Sequence, residues 1–137
     1  MTRSFSADRP PEKDGVTFWR WAVVAGYMAA IFAVSGGPGV DLPPGGNWDK
    51  VLHAGAYGVL SALSAWALAA GRLRSTTGRV LLAAWMISTA YGATDEWHQS
   101  FVPGRDCSAA DLLADALGAL AAAGAIRAWS IIARGIE

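Results

Sequence analysis

Four apolar stretches, separated by polar or glycine- and proline-rich breaks, set the pattern of this chain. The first covers residues 16–35 and ends at Gly36-Gly37-Pro38-Gly39, with Pro43-Pro44-Gly45-Gly46 prolonging the break. The second covers 51–70 and gives way to the basic stretch 71–79. A third covers 80–96 and a fourth 111–132, the loop between them carrying Pro103-Gly104. Residues 1–14 are polar, contain Pro10-Pro11 and show no apolar periodicity, which predicts a loose tail. A helix rises about 1.5 Å per residue and needs about 20 residues to cross the hydrocarbon core. The second and fourth stretches meet that length. The first and third span if Arg20 snorkels and Trp97 sits at the interface.

A soluble helical bundle is the competing expectation, and it requires a polar face repeating about every 3.6 residues. Between 51 and 70 the polar side chains are His53, Tyr57, Ser61 and Ser64, with no Lys, Arg, Asp or Glu. From 112 to 132 the only charges are Asp115 and Arg127. No solvent face can be covered from such a set. The pattern therefore predicts an all-α, four-helix transmembrane bundle: one membrane domain over 15–137 behind the tail 1–14.

Composition sharpens this expectation. Charged residues make up 16% of the 137, against about 25% in soluble domains. Of seven Trp, Trp19, Trp21, Trp48, Trp97 and Trp129 fall where interface anchors are expected. A formal net charge of zero gives no global field for nucleic acid. Cys107 is the single cysteine, so no internal disulfide can form.

The charges are segregated. Arg3, Arg9, Lys13 and Arg20 lead into the first stretch, Arg72, Arg74 and Arg79 follow the second, and Arg127 and Arg134 close the chain, leaving Lys50 and Arg105 in the other loops. The positive-inside rule then places both termini in the cytoplasm, in a multi-pass protein of the cell membrane. Asp41, Asp49, Asp95, Glu96, Asp106, Asp111, Asp115 and both histidines fall on the opposite side. A cleaved signal peptide ending near Ala33-Val34-Ser35 is the minor alternative to an uncleaved anchor.

Candidate chemistry gathers on that opposite side. Asp49, His53 and Tyr57 are spaced four apart and share one helix face, as do Tyr91 and Asp95. Glu96, His98 and Gln99 follow, the Pro103-Gly104 turn presents Arg105, and Asp111 and Asp115 stack at the start of the fourth helix. Ionisable groups within spans are costly and usually face the bundle interior or a wet cavity. Plainer roles compete. Ser108-Ala109-Ala110-Asp111 has capping-box spacing, and Asp49 suits a helix N-terminus. Asp95 and Glu96 end a helix, where the dipole opposes negative charge, so capping does not account for them. Ala54-xxx-Gly58 and Ala114-xxx-Gly118 fit the small-residue pattern of close helix packing.

Three linked motifs resemble the VanZ-like family: Asp49-Lys50-x-x-His53-x-x-x-Tyr57, then Asp95-Glu96-x-His98-Gln99-x-Phe101-x-Pro103-Gly104-Arg105, then Asp111-x-x-x-Asp115-x-x-Gly118. The family commonly carries Asn at the position of Asp115. The resemblance implies an envelope role associated with reduced sensitivity to teicoplanin, and supplies no reaction.

Two expectations follow. In one, an envelope lipid, its phosphate head group or a glycopeptide-related ligand is bound or transformed. His53, Asp95, Glu96 and His98 would be the catalytic candidates, and Asp49, Lys50, Tyr57, Tyr91, Gln99, Arg105, Asp111 and Asp115 the ligand-binding ones. Arg105 and Lys50 would hold phosphate. A histidine would act as acid or base, with Asp95 and Glu96 orienting it or holding a divalent cation: Mg²⁺ or Mn²⁺, or Zn²⁺ if both histidines converge. In the other, the cluster is a structural network in a non-catalytic membrane accessory or partner-binding protein.

Overall fold

The computed structural model describes residues 13–37, 47–105 and 107–135. The chain forms α1 (Lys13–Ser35), α2 (Trp48–Leu68), α3 (Gly78–Gln99) and α4 (Ala109–Arg134), with one 3-10 turn (Leu73–Ser75) between α2 and α3. Among the described residues there is no strand. The expected tail over 1–12, the proline-rich break over 38–46 with Asp41, and Asp106 lie outside the described residues.

Helix ends differ from the apolar boundaries for local reasons. α1 starts at Lys13, inside the stretch expected to be tail. α3 begins at Gly78 because Thr77 caps it, its hydroxyl accepting the Val80 N–H at 3.4 Å. It then runs three residues past the expected end, to Gln99. Ser108 caps α4 in the same way, accepting the Asp111 N–H at 3.3 Å.

Three helices are long and apolar enough to cross a membrane: α2, α4 and the Gly15–Ser35 part of α1. Four spans were expected. α3 has 22 residues but does not reach the same hydropathy, since its last turns carry Asp95, Glu96, His98 and Gln99.

Burial is inverted relative to a soluble bundle. Trp19 is 69% exposed and Val34, Leu113, Leu117 and Ile132 lie on the outside, while Ser61, Ser64, Ser88, Asp95, Glu96, Gln99, Asp115 and Ser130 are buried. In water that distribution would leave a large apolar surface uncovered. Against hydrocarbon it is the favourable one, because the polar groups find partners only inside. The chain is a membrane-type helical protein.

Interhelical contacts fix the direction of each helix. The end of α1 meets the end of α3 through Ser35 and Asp95, and the starts of α2 and α4 meet through Lys50 and Asp111. At the other end, Arg20 of α1 lies over the Trp66 ring of α2, and Arg74 donates to the Ala133 carbonyl of α4. The helices thus alternate in direction, and α2 and α4, which share the largest interface, run parallel. Their backbones touch. A Cβ placed on Gly118 would overlap the Ala54 backbone, and one on Gly58 would stand 3.2 Å from the Gly118 carbonyl oxygen. The two small-residue motifs are therefore one contact seen from both helices.

Side chains then tie the helices at carbonyls. The Ser88 hydroxyl donates to Tyr57 O at 2.8 Å, the Trp85 indole N–H to Ala116 O at 3.0 Å, and the Tyr27 hydroxyl to Ala56 O at 3.2 Å. All the described acids from Asp49 to Asp115 sit at one end of the bundle, and Arg20, Arg72, Arg74, Arg79 and Arg134 at the other.

Candidate functional site

At the acid-bearing end, four helix termini bring the polar side chains into two adjoining groups. The first lines a cavity of about 390 Å³. Its walls are apolar, formed by Ala30, Ile31 and Val34 of α1 and by Leu52 and Ala56 of α2. Its polar lining comes from Ser35, Asp49, His53, Tyr57, Asp95, Gln99 and Arg105, with Tyr27.

A chain of hydrogen bonds organises this lining. Asp95 is 3% exposed and takes two donors: Ser35 Oγ–H on Oδ1, and Gln99 Nε2–H on Oδ2 at 2.9 Å. Gln99 in turn accepts on Oε1 from Arg105 Nη2 at 2.6 Å and Nε at 3.2 Å. The turn that returns Arg105 toward α3 needs positive φ at Gly104, +81°. Both bonds from the guanidinium go to a neutral amide oxygen, and among the described residues it forms no ion pair.

The second group lies between α2, α3 and α4, behind the His53 ring. His53 Nδ1 stands 2.9 Å from Asp115 Oδ1 and 4.0 Å from Glu96 Oε1. Asp115 is fully buried and Glu96 is 3% exposed. Glu96 Oε2 accepts the Ser108 N–H at 2.8 Å, so a glutamate of α3 completes the cap of α4. The Asp111 carboxylate does something else. Lys50 Nζ stands 2.9 Å from both Asp111 Oδ1 and Asp49 Oδ2, joining α2 to α4 in a half-exposed triad. Three buried polar atoms here have no hydrogen-bond partner among the described residues: Glu96 Oε1, Asp115 Oδ2 and the Tyr57 hydroxyl.

The structure thus divides the residues singled out by sequence. Asp49, His53, Tyr57, Asp95, Gln99 and Arg105 line the cavity, and Glu96 and Asp115 join His53 behind it. Lys50 and Asp111 pair with each other at the rim. Two candidates stand apart. The Tyr91 hydroxyl donates to Met28 O at 2.6 Å. The His98 ring stacks on Phe32, centroids 4.0 Å apart, so the two histidines do not converge. Ser35 and Tyr27 were missed. Both lie in a segment whose sequence looks like an ordinary anchor, and Ser35 meets Asp95 across 60 positions, which no spacing rule can reveal.

His53, Glu96 and Asp115 each offer a ligand atom within 4.8 Å of the others, the one such group among the described residues. One imidazole with two carboxylates is a donor set that suits a divalent cation of intermediate hardness. The arrangement can also pass a proton, since His53 borders the cavity on one side and holds Asp115 on the other.

Comparison with known proteins supplies one match. The family model described as VanZ/LLP1 matches residues 12–132, most of the chain. No curated protein and no solved structure matches.

Proposed function

The chain belongs to the VanZ/LLP1 family, and from that premise we propose that it binds the anionic head group of a membrane amphiphile, a phosphate-bearing envelope lipid, in the α1–α2 cavity. In this reading both termini are cytoplasmic and the acid-bearing end faces outward, as the basic residues favour. One observation carries it. The cavity combines an apolar wall that includes Ile31, Val34 and Leu52 with a polar lining that includes Arg105, whose guanidinium is bonded, among the described residues, to a neutral amide. Such a combination matches an acyl chain and a charged head. The carboxylates at that end are already engaged: Asp95 by Ser35 and Gln99, Asp49 by Lys50. None of them is bonded to Arg105, which keeps further N–H donors for phosphate oxygens among the described residues.

Native mass spectrometry of the detergent-purified chain, titrated with phosphatidic acid and with phosphatidylcholine, tests this proposal. The wild type is expected to retain phosphatidic acid preferentially. Arg105→Gln loses that preference by about tenfold, the worth of a charge-assisted hydrogen bond. Equal retention of both lipids by wild type and variant overturns it.

Two further readings have their own support. The His53–Asp115 pair beside the cavity has the form of an acid–base couple. Lipid profiles of membranes expressing wild type or His53→Ala would then differ in a head group. Against catalysis stands the degree to which these groups are already satisfied, Asp95 by Ser35 and Gln99 and Lys50 by Asp111, as a structural network would be. A part in teicoplanin sensitivity belongs to the same envelope proposal, and susceptibility of an expressing host measures it.

A further inference from the structure

We propose that His53, Glu96 and Asp115 form a divalent-cation site inside the bundle, bordering the cavity through His53 and built without Arg105. The interior at this level is short of positive charge. Asp95, Glu96 and Asp115 are all buried, whereas His53, charged only when protonated, is the one basic side chain within ion-pair distance of any of them among the described residues. Lys50 is paired with Asp49 and Asp111, and Arg105 is bonded to Gln99 and pairs with none of these acids among the described residues. Asp95 has two neutral donors. Glu96 and Asp115 each keep one oxygen without any partner, and an unpaired buried carboxylate oxygen costs free energy that a native fold rarely leaves uncompensated.

Geometry identifies a cation as the compensating group. Glu96 Oε1, one of those oxygens, is aimed at His53 Nδ1 from 4.0 Å, too far for a hydrogen bond. Ligands about 2.1 Å from a common ion stand about 3.0 Å apart at a right angle, 3.4 Å in a tetrahedron and 4.2 Å directly across. The observed 4.0 Å from His53 Nδ1 to Glu96 Oε1 falls within that range, and the 2.9 Å to Asp115 Oδ1 lies just under its lower end. The three ligands come from α2, α3 and α4, so a bound ion would join the three helices. The rest of the shell is in place as well. Glu96 is held by the Ser108 N–H, which fixes its unpartnered oxygen toward the site. Gly92 backs Asp115, and a Cβ there would stand 2.8 Å from Oδ2.

The probe is Mn²⁺ itself, added to the full chain purified in detergent with chelator and then dialysed. Loss of the free-ion paramagnetic resonance signal gives the stoichiometry and affinity, and electron spin echo modulation reports nitrogen bound to the ion. The expected result is one Mn²⁺ per chain with imidazole nitrogen modulation, displaced by Zn²⁺. Glu96→Gln and Asp115→Asn, confirmed helical by circular dichroism, bind at least about tenfold more weakly, while Arg105→Gln binds as the wild type does. Wild-type protein that takes up no Mn²⁺ or Zn²⁺ at millimolar concentration overturns the proposal. So does uptake without nitrogen modulation, a reading that needs no variant to fold. Because Arg105 is outside the cation site, failure of lipid binding and failure of metal binding are separately visible.

Discussion

His53 and Asp115, 62 positions apart, face each other at 2.9 Å across the parallel pair α2 and α4, each between one and two turns inside its helix start. Around this pair lie Glu96 of α3, the Gly58–Gly118 contact about one turn deeper, and the cavity that His53 lines. Its position explains why an acid is tolerated there. A fully buried carboxylate is costly unless it is paired, and the imidazole is the partner.

Removing one member should therefore damage the fold more than removing both. Asp115→Ala is expected to destabilise the bundle by about 3–5 kcal/mol, the usual penalty for stranding one member of a buried pair. His53→Leu combined with Asp115→Leu should recover much of that loss. Unfolding of the purified chain in mixed micelles, followed by circular dichroism, measures both.

Gly118 has no room for a side chain. The atoms in the way are Ala54 backbone, which cannot rotate aside. Gly118→Ala should separate α2 from α4 and cost about 1–3 kcal/mol. Gly124→Ala on the same helix meets nothing within 4 Å and should be neutral or slightly stabilising. A similar midpoint for the two variants would contradict the close packing described here.

The rim triad should behave as a weak, screened interaction. Lys50 and Asp49 keep 34% and 48% of their side-chain surface, so solvent damps the pair. A double-mutant cycle over Lys50→Met and Asp111→Asn is expected to give a small coupling that falls in high salt.

Cys107 offers a native test of orientation. It is the single cysteine, it is exposed, and it lies at the acid-bearing end between α3 and α4. In the proposed topology a membrane-impermeant maleimide labels it on intact cells. A Cys107→Ala chain carrying Ser75→Cys, in the exposed turn at the other end, should label only after permeabilisation. The reverse pattern would place the acids in the cytoplasm.

The hydrophobic pattern by itself determined that the chain is all helical, roughly where each helix lies and that it suits a membrane. Long uncharged runs permit no other satisfaction of the backbone, and this constraint is local. The spacing of Asp49, His53 and Tyr57 likewise fixed their common face, because about 3.6 residues per turn is a property of any α-helix. Which residues meet was decided only in three dimensions. Asp111 looked like the second half of a capping box, but Glu96 from another helix took that place and left Asp111 to Lys50. His98 and His53 are equally polar in sequence, yet one stacks on Phe32 and the other meets Asp115. Ser35 carried no signal until the end of α1 came against Asp95. Periodicity tells a residue which side of its own helix it occupies. The partner across the gap depends on how closely the backbones approach, and here that was set by Gly58 and Gly118.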